Sequence, residues 1–169
     1  QEKTYTGTIT LGKSSPSMDL ETEVEGQREL IDINEEKIQA AKEKFVGRIM
    51  QKPPMYSALK VGGKTLYKIA RKGKTVERED REVTVSKFEI LSIDLPDIKF
   101  EIRCSKGTYI RVIANDLGEY LGCGGLLSSL CRVSIGDYSV NNALTVDEFI
   151  NIYSPPNEFK ELPLVYKSV

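Results

Sequence analysis

Polar and apolar positions alternate along residues 4–11. Threonines occupy every second position, with tyrosine, glycine and aliphatic residues between them. A period of two with β-branched residues predicts a strand with two distinct faces. Residues 83–93, 98–104 and 133–140 are predicted as further strands. In residues 98–104 one face carries the apolar side chains of Ile98, Phe100, Ile102 and Cys104.

A helical period begins after residue 34. Asn34 is suited to cap a helix, and Glu35 and Glu36 would then lie at the positive end of the helix dipole. The apolar stripe of this helix would consist of Ile38, Ala41, Phe45 and Ile49. The sequence Lys52-Pro53-Pro54 would end it, so the pattern predicts one helix that continues to this point.

Two further helices are predicted in the middle of the chain. Residues 64–72 predict a short basic helix with Gly73 as its stop. A second helix, closed by Gly122, is predicted from an apolar stripe that consists of Ile110, Ile113, Leu117 and Leu121.

The last part of the chain contains a glycine cluster, a capping box and a proline-containing tail. The glycines at 122, 124 and 125 follow a helix, so they predict a tight turn and not a dinucleotide-binding loop. Thr145 with Glu148 forms a capping box that opens a last short helix. Residues 153–169 are predicted to be an irregular tail.

These elements together predict an α+β fold with a central, mostly antiparallel mixed sheet flanked by helices. At 169 residues, with 40% hydrophobic and 29% charged residues, the chain fits one soluble domain over residues 1–152. We see neither a signal peptide nor an apolar run long enough for a membrane span, so we expect a cytoplasmic protein with no membrane partner.

The composition restricts the chemistry that is available. The chain has no histidine, which removes the commonest general base and histidine metal ligands. The three cysteines, Cys104, Cys123 and Cys131, fit no zinc spacing and are interpreted as reduced thiols. Any reaction would therefore depend on carboxylates, tyrosine, lysine, arginine or cysteine, and we expect no metal.

The charges are separated along the chain although the net charge is only −1. Residues 19–36 hold eight acids against Arg28 alone. Residues 60–74 contain no acid, and their cations are Lys60, Lys64, Lys68, Arg71, Lys72 and Lys74. Local sign decides whether phosphates are attracted, so the basic stretch keeps a nucleic-acid partner possible.

Two segments are candidates for a site. In the strand–turn–helix of residues 103–118, Lys106, Tyr109 and Arg111 would face a ligand at the strand end; alternatively Arg111 is solvated and Tyr109 lies in the core. In residues 52–64, prolines stiffen a basic, tyrosine-bearing loop that suits a phosphate backbone; alternatively this is an ordinary hairpin with a solvated charged face.

Four segments, in the order found in the family, resemble motifs of the TruB-type tRNA pseudouridine synthases. Residues 3–5, Lys-Thr-Tyr, match the family's Lys-x-Tyr strand, and residues 53–60, Pro-Pro-Met-Tyr-Ser-Ala-Leu-Lys, are similar to its signature after the thumb-like insertion. Residues 104–111, Cys-Ser-Lys-Gly-Thr-Tyr-Ile-Arg, resemble its third motif. Residues 121–125, with Leu130 and Arg132 beyond them, look like its glycine turn and following strand.

The resemblance implies a pseudouridine-synthase-like catalytic domain, with tRNA as the partner. The reaction it implies is isomerisation of the uridine at position 55, in the T-arm of tRNA, without metal or organic cofactor. The target base is flipped out of the stack into a pocket. An aspartate attacks, the glycosidic bond breaks, the base rotates, and carbon C5 joins the ribose. We expect the protein to be a monomer.

The resemblance also implies roles for individual residues. Tyr5 would stack on the flipped base and take the proton from C5. Arg111 would pair with the catalytic aspartate, orient it and keep it ionised. Tyr109 would help to hold the base, and Leu130 would form an apolar wall. Basic contacts to the RNA are expected from Lys60, Lys64 and Lys106.

The nucleophile of the family has no match in this sequence. The family's catalytic aspartate belongs to a Gly-x-Leu-Asp-Pro motif that the chain does not contain. Asp19, Asp116 and Asp137 match other family positions, so none is assigned as nucleophile. We therefore expect an upstream segment to carry the nucleophile and the present chain to be inactive alone.

Other departures from the family pattern concern RNA contacts. Residues 125–127 are Gly-Leu-Leu where many members have Ala-His-Leu. Cys131 replaces the first of two arginines, which would weaken one RNA contact. We expect no counterpart of the PUA domain that some members of the family carry. Two alternatives remain: a noncatalytic RNA-binding or tRNA-folding module, and a structural fragment whose open sheet edge promotes self-association.

Overall fold

A computed structural model describes residues 1–153 of the chain. Of the tail predicted over residues 153–169, all but Tyr153 lies outside the described residues, and Tyr153 is the last residue of a helix. The strands are β1 Lys3–Leu11, β2 Lys13–Ser14, β3 Gly26–Gln27, β4 Gly47–Gln51, β5 Lys60–Val61, β6 Lys64–Thr65, β7 Arg81–Asp94, β8 Asp97–Cys104, β9 Gly125–Ile135 and β10 Tyr138–Ser139. The α-helices are α1 Glu35–Lys42, α2 Leu66–Ala70, α3 Ile110–Tyr120 and α4 Val146–Tyr153.

A six-stranded sheet in the order β10-β9-β1-β8-β7-β4 forms the centre of the fold. Its neighbouring strands are antiparallel throughout. Strand β1 lies between β8 and β9, where Tyr5 is opposite Ile102 on one side and Arg132 on the other. The predicted α+β fold with a mostly antiparallel sheet is confirmed.

One face of the sheet is covered and the other is polar. The predicted apolar face of β8 is fully buried, with Ile98, Phe100, Ile102 and Cys104 all at 0% exposure. These side chains pack against Ile38 of α1 and Ile113 and Leu117 of α3. Lys99 and Arg103 alternate with them and are exposed on the opposite face. The core therefore lies between the sheet and these two helices.

The helix predicted to continue to Lys52 is too long. Helix α1 ends at Lys42, a 3₁₀ turn follows over Glu43–Phe45, and β4 then forms the edge of the sheet against β7. Phe45 and Ile49 have helical spacing, but Gly47 adopts a φ of +89°, which a helix does not allow. Pairing with β7 therefore overrides the apolar stripe.

The last long strand begins eight residues earlier than the predicted strand at 133. Strand β9 runs from Gly125 and pairs with β1 over most of its length, so its bounds follow a partner that is distant in sequence. The glycine turn is confirmed, because Gly122 and Gly124 have φ values of +81° and +74°. Gly125 is the first residue of the strand.

Several local predictions are confirmed. The side chain of Asn34 accepts a hydrogen bond from the backbone N–H of Lys37 at 2.9 Å and so caps α1. The capping box is formed in both directions, since Glu148 N donates to Thr145 Oγ1 and Thr145 N donates to Glu148 Oε2. Within residues 1–153, no helix combines the length and the apolar character that crossing a membrane requires.

Helix α3 packs closely on the start of β9 because Gly118 has no side chain. A Cβ atom at this position would lie 2.2 Å from the carbonyl carbon of Gly124 and 2.2 Å from the nitrogen of Gly125. Backbone atoms cannot rotate away as a flexible side chain can. The contact therefore sets the distance between α3 and the sheet.

We predict that Gly118→Ala lowers the free energy of unfolding by about 1–3 kcal/mol, because the methyl group would overpack this contact. At an open helix position the same change would stabilise by up to about 1 kcal/mol, so the sign alone tests the packing. Urea denaturation followed by circular dichroism measures the change. As a control, Tyr120→Ala at the exposed end of α3 should alter stability by less than about 0.5 kcal/mol.

Candidate functional site

A cavity of about 210 Å³ lies where β1, β9 and the start of α3 meet. It brings together four of the predicted site residues, Tyr5, Tyr109, Arg111 and Leu130. We call it the Tyr5–Arg111 pocket. Its remaining lining residues are Asp19, Thr108, Ile110 and Leu127.

Tyr5 reaches the pocket because of its place in the sheet. It shares a face of β1 with Ile9 and Leu11, which are buried in the core, but Tyr5 itself is only half-buried. Its side chain packs against the edge of the core cluster. The ring therefore lies where the apolar layer opens into the pocket. Leu127 and Leu130 of β9 supply the apolar lining, and Leu130 is 47% exposed.

The turn between β8 and α3 places Tyr109 and Arg111. Gly107 has a φ of +87°, and Thr108 Oγ1 donates to the carbonyl of Ser105 at 3.0 Å, which closes the turn. Tyr109 then occupies the N-cap position of α3. Ile110 turns into the core, and Arg111 in the first helical turn lines the pocket.

The guanidinium of Arg111 is held by acceptors from two other parts of the chain. Its Nη1 donates to Oδ2 of Asp19 at 2.6 Å, and its Nη2 donates to the backbone carbonyl of Tyr56. Oε2 of Glu21 lies 3.8 Å from Nη1. The side chains of Arg111 and Asp19 are only 17% and 21% exposed. The alternative of a solvated Arg111 is therefore wrong in this structure.

Asp19 belongs to the acidic segment between β2 and β3. These two short strands pair as a hairpin, and the segment between them returns to the main sheet. Leu127 N donates to the carbonyl of Met18 at 3.0 Å, and Asp19 forms an isolated parallel bridge with Leu127. This pairing with β9 places the carboxylate beside Arg111.

The surroundings of Asp19 favour its charged form. Burial by itself would raise the pKa of this carboxyl group. Hydrogen bonds from Ser17, Arg111 and the backbone N–H of Glu21, together with the charge of Arg111, outweigh burial and lower the pKa below its ordinary value of 3.8. Asp19 is therefore an ionised partner of Arg111 near neutral pH.

Segment 53–59 connects the pocket to the basic stretch. While the carbonyl of Tyr56 accepts from Arg111, its ring meets the ring of Tyr67 edge to face, with centroids 6.1 Å apart. The guanidinium of Arg71 lies 5.8 Å from the centre of the Tyr67 ring, within cation–π distance. Tyr67 N also donates to the carbonyl of Ser57 at 3.0 Å.

The basic stretch forms a surface of its own. Strands β5 and β6 pair as a two-stranded hairpin, and α2 covers only Leu66–Ala70 of the predicted 64–72 helix. We call its six cations the basic surface: Lys60, Lys64, Lys68, Arg71, Lys72 and Lys74. A cavity of about 680 Å³ is lined by five of these six, Lys60 being the exception. Neither Lys60 nor Lys64 lines the Tyr5–Arg111 pocket.

Lys106 lies in a neighbouring groove. A cavity of about 330 Å³ is lined by Lys106, Arg81, Leu59 and Tyr109, among others. Tyr109 therefore separates this groove from the Tyr5–Arg111 pocket, since it lines both. The structure does not bring Lys106 into the pocket that holds Tyr5 and Arg111.

Other groups that could carry chemistry are less suited to it. Burial raises the pKa of the thiols of Cys104 and Cys123, which makes them weak nucleophiles near neutral pH. Within the described part of the chain, no three histidine, cysteine, aspartate or glutamate side chains cluster as a metal site would require.

Two members of the site were missed in the sequence. Asp19 matches a family position other than the nucleophile, and Tyr56 lies in the signature motif at residues 53–60, so neither was predicted as a site residue. Arg111 is 92 residues from Asp19 and 55 from Tyr56. No periodicity relates residues at such separations. The one available signal was the excess of acids in residues 19–36, which could have indicated that one of them pairs with Arg111.

Comparison with known proteins identifies the family. The profile of the TruB family pseudouridylate synthases (N terminal domain) matches residues 1–110. The chain belongs to the TruB family. It is 47% identical over 146 residues to tRNA pseudouridine synthase B of Burkholderia lata, covering 86% of this chain and 45% of that protein. With tRNA pseudouridine synthase B of Opitutus terrae it is 45% identical over 163 residues, covering 96% and 68%.

Two solved structures contain a chain of similar fold. A Cbf5-Nop10-Gar1 complex contains a chain with a TM-score of 0.64 and 25% identity, covering 90% of this chain and 36% of that chain. An H/ACA RNP bound to a substrate RNA containing 2'-deoxyuridine gives a TM-score of 0.60 at 22% identity, covering 90% and 34%, and shows the fold alone. The chain spans slightly less than half the length of the Burkholderia relative.

We predict that Asp19→Asn lowers the free energy of unfolding by about 1–3 kcal/mol at pH 7, because Arg111 loses its charged acceptor. Since the folded-state pKa of Asp19 is lowered, its stabilisation is present above its ordinary value of 3.8 and is lost as pH falls through the folded pKa. The difference in stability between the two proteins should therefore shrink as pH falls below 3.8.

Urea denaturation between pH 3 and 7 measures this difference. Asp137→Asn, at an exposed turn residue, is the matched control and should leave stability nearly unchanged across the range. A difference between Asp19→Asn and the unchanged protein that stays constant down to pH 3 would contradict the assignment of Asp19 as an ionised partner.

Proposed function

We propose that the protein to which this chain belongs isomerises uridine to pseudouridine in RNA, at position 55 in the T-arm of tRNA. The observation that supports this most is the pocket itself. This pocket, in a chain of the TruB family, is lined by two tyrosines, two leucines and a largely buried arginine–carboxylate pair. Relatives with 45–47% identity are named tRNA pseudouridine synthase B.

The pocket suits a pyrimidine that has been flipped out of its stack. An extruded base is held by stacking on aromatic or apolar side chains and by polar groups at its edge. Tyr5 offers the ring on which the base stacks, Leu130 the apolar wall, and Tyr109 the opposite side. Asp19 and Arg111 supply the charged groups of the lining.

The proposed reaction replaces one bond of the ribose to the base by another and leaves the overall composition of the nucleotide unchanged. The bond from ribose C1′ to N1 of the base breaks, the base rotates, and a bond from C1′ to C5 forms. C5 loses its proton and N1 gains one, so the product is an isomer and no oxidant or reductant is consumed. Tyr5 is the proposed acceptor of the C5 proton, because a stacked phenol lies close to that carbon.

Arg111 is proposed to orient the attacking carboxylate. A guanidinium has five N–H donors, and Asp19 and the carbonyl of Tyr56 engage one donor on each terminal nitrogen. Further donors remain for a second carboxylate. Asp19 is not proposed as the nucleophile, because it matches another position of the family pattern. The sequence contains no Gly-x-Leu-Asp-Pro motif, so we propose that the 169-residue chain is inactive by itself.

The proposed partner is tRNA, bound through its backbone. The basic surface joins six cations with no acid in residues 60–74, which favours contact with phosphates. Lys60 and Lys64 are proposed to contact the backbone from the hairpin, and Lys106 from its groove beside Tyr109. The relatives named tRNA pseudouridine synthase B support RNA as the class of partner.

We predict that Arg111→Met in the full-length protein lowers the rate of pseudouridine formation about 100-fold or more. Binding of T-arm RNA should change by less than roughly threefold, because Arg111 acts on the reacting groups and not on the backbone. Release of tritium from C5-labelled uridine in T-arm RNA measures the rate. Arg103→Met, on the polar face of the sheet, is the matched control and should remain active.

The same assay separates the proposal from a noncatalytic RNA-binding or tRNA-folding module. Such a module would bind T-arm RNA, would release no tritium even as the full-length protein, and would be indifferent to Arg111→Met. Tritium release by the 169-residue chain alone would contradict the expectation that the nucleophile lies outside it. Release from uridines outside the T-arm would contradict the proposed substrate.

We predict that changing Lys64, Lys68 and Lys72 together to glutamine weakens RNA binding and lowers its salt dependence. Each lost phosphate contact should reduce the slope of log K against log salt by about 0.7–0.9. Fluorescence anisotropy at several salt concentrations measures this slope. Lys37, Lys44 and Lys99, changed together to glutamine, provide a control of equal charge. An equal loss of slope in both triple variants would show that the basic surface is not the RNA interface.

A further inference from the structure

The side chain of Gln51 makes an unusual pair of contacts with one backbone residue. Gln51 is the last residue of β4 and is only 3% exposed. Its Oε1 accepts from the backbone N–H of Tyr109 at 2.9 Å, and its Nε2 donates to the backbone carbonyl of Tyr109 at 3.1 Å. The amide therefore bonds to Tyr109 as a neighbouring strand would. Both polar groups of a buried side chain are thus satisfied at a single residue.

Tyr109 is the residue from which α3 begins. Its N-cap position is not closed by a side-chain hydrogen bond of its own. Its carbonyl also accepts from the backbone nitrogens of Val112 and Ile113, at 3.1 and 3.3 Å, in the first helical turn. Gln51 therefore holds the N–H that the helix leaves unused and shares the carbonyl that the helix uses. The position of Arg111, two residues later, depends on this anchored start.

A second contact from the same part of the chain reaches the same helical turn. Five residues after Gln51, the carbonyl of Tyr56 accepts from the guanidinium of Arg111. Pro53 and Pro54 lie between them and are buried, which limits the conformations of the segment. Residues 51–56 thus hold both the backbone at Tyr109 and the side chain of Arg111.

We propose that Gln51 is a positioning residue, which sets the place of Tyr109 and Arg111 in the Tyr5–Arg111 pocket through its paired contacts with the Tyr109 backbone. This inference rests on the proposed function, because its consequence is the rate of pseudouridine formation. Gln51 does not line that pocket, so its effect is indirect. Small displacements of groups that orient a reacting centre reduce the rate strongly even where binding is kept.

The test is Gln51→Met in the full-length protein, because methionine keeps the length and loses both polar groups. We expect the single-turnover rate of tritium release to fall about 10- to 100-fold. The Kd for T-arm RNA should stay within roughly threefold of its original value, because the substitution removes no proposed contact with the RNA backbone. Gln39→Met, at a half-buried glutamine of α1, is the matched control and should keep the original rate.

Two further measurements separate positioning from lost stability. Ile98→Val, a core change in β8, provides a destabilised variant that should keep its rate at temperatures where it is folded. The variant Gln51→Met combined with Arg111→Lys should lose little more rate than Arg111→Lys alone, because residues that act through each other are not additive. The proposal would be overturned if the fold-loss in rate of the double variant equalled the product of the losses of the two single variants. It would also be overturned if Ile98→Val, at equal stability, lost as much rate as Gln51→Met.

Hydrogen exchange in the 169-residue chain tests the contact without any reaction. The amide of Tyr109 should exchange at least about tenfold faster in Gln51→Met, relative to amides in the middle of β8. Unchanged exchange at Tyr109 would overturn the inference. If the unchanged full-length protein forms no pseudouridine, the proposed function fails. If it does and Gln51→Met is equally fast, only the role of Gln51 fails.

Discussion

The ion pair between Arg111 and Asp19 joins parts of the chain that are far apart in sequence. Arg111 lies at the start of α3, and Asp19 is carried to it by the acidic segment that pairs with β9. A guanidinium that is mostly buried must keep acceptors around it, because an unpaired buried charge is costly. Asp19 and the carbonyl of Tyr56 meet that requirement, so the segments that carry them are held against the helix. The walls of the pocket depend on this one side chain.

The sheet supplies the rigid part of the same arrangement. Strand β1 is paired on both sides, which places the ring of Tyr5 at a fixed point on the apolar face. Helix α3 approaches the sheet closely because Gly118 lies directly on the backbone of Gly124 and Gly125. A group from a strand and a group from a helix therefore face one small cavity. Sites on packed elements hold their geometry better than sites on loops alone.

Charge is used differently in the two halves of the proposed RNA-binding region. Asp19, the acid in the pocket, is paired with Arg111 and largely buried. The cations of the basic surface do not line this pocket. The net charge of −1 hides this separation. Tyr56 links the two regions, because its carbonyl contacts Arg111 and its ring packs on Tyr67 beside the basic surface. In the proposed function, contact with the RNA backbone and reaction of the base therefore fall to adjacent but distinct groups of residues.

The sequence by itself determined the elements whose signals are local: β1, β8, α3, the cap at Asn34 and the capping box at Thr145. Periodicity and capping depend on near neighbours, so these predictions are confirmed. Through family resemblance it also predicted Tyr5, Tyr109, Arg111 and Leu130 as site residues. Spacing alone did not decide whether Arg111 faces a ligand or the solvent.

Only the tertiary structure decided what depends on distant partners. Residues 47–51 became the edge strand β4 because β7 pairs with them, against a helical stripe that included Phe45 and Ile49. The contacts of Arg111 with Asp19 and of Gln51 with Tyr109 span 92 and 58 residues. No local pattern relates residues at such separations, since their meeting depends on how the sheet and α3 pack together.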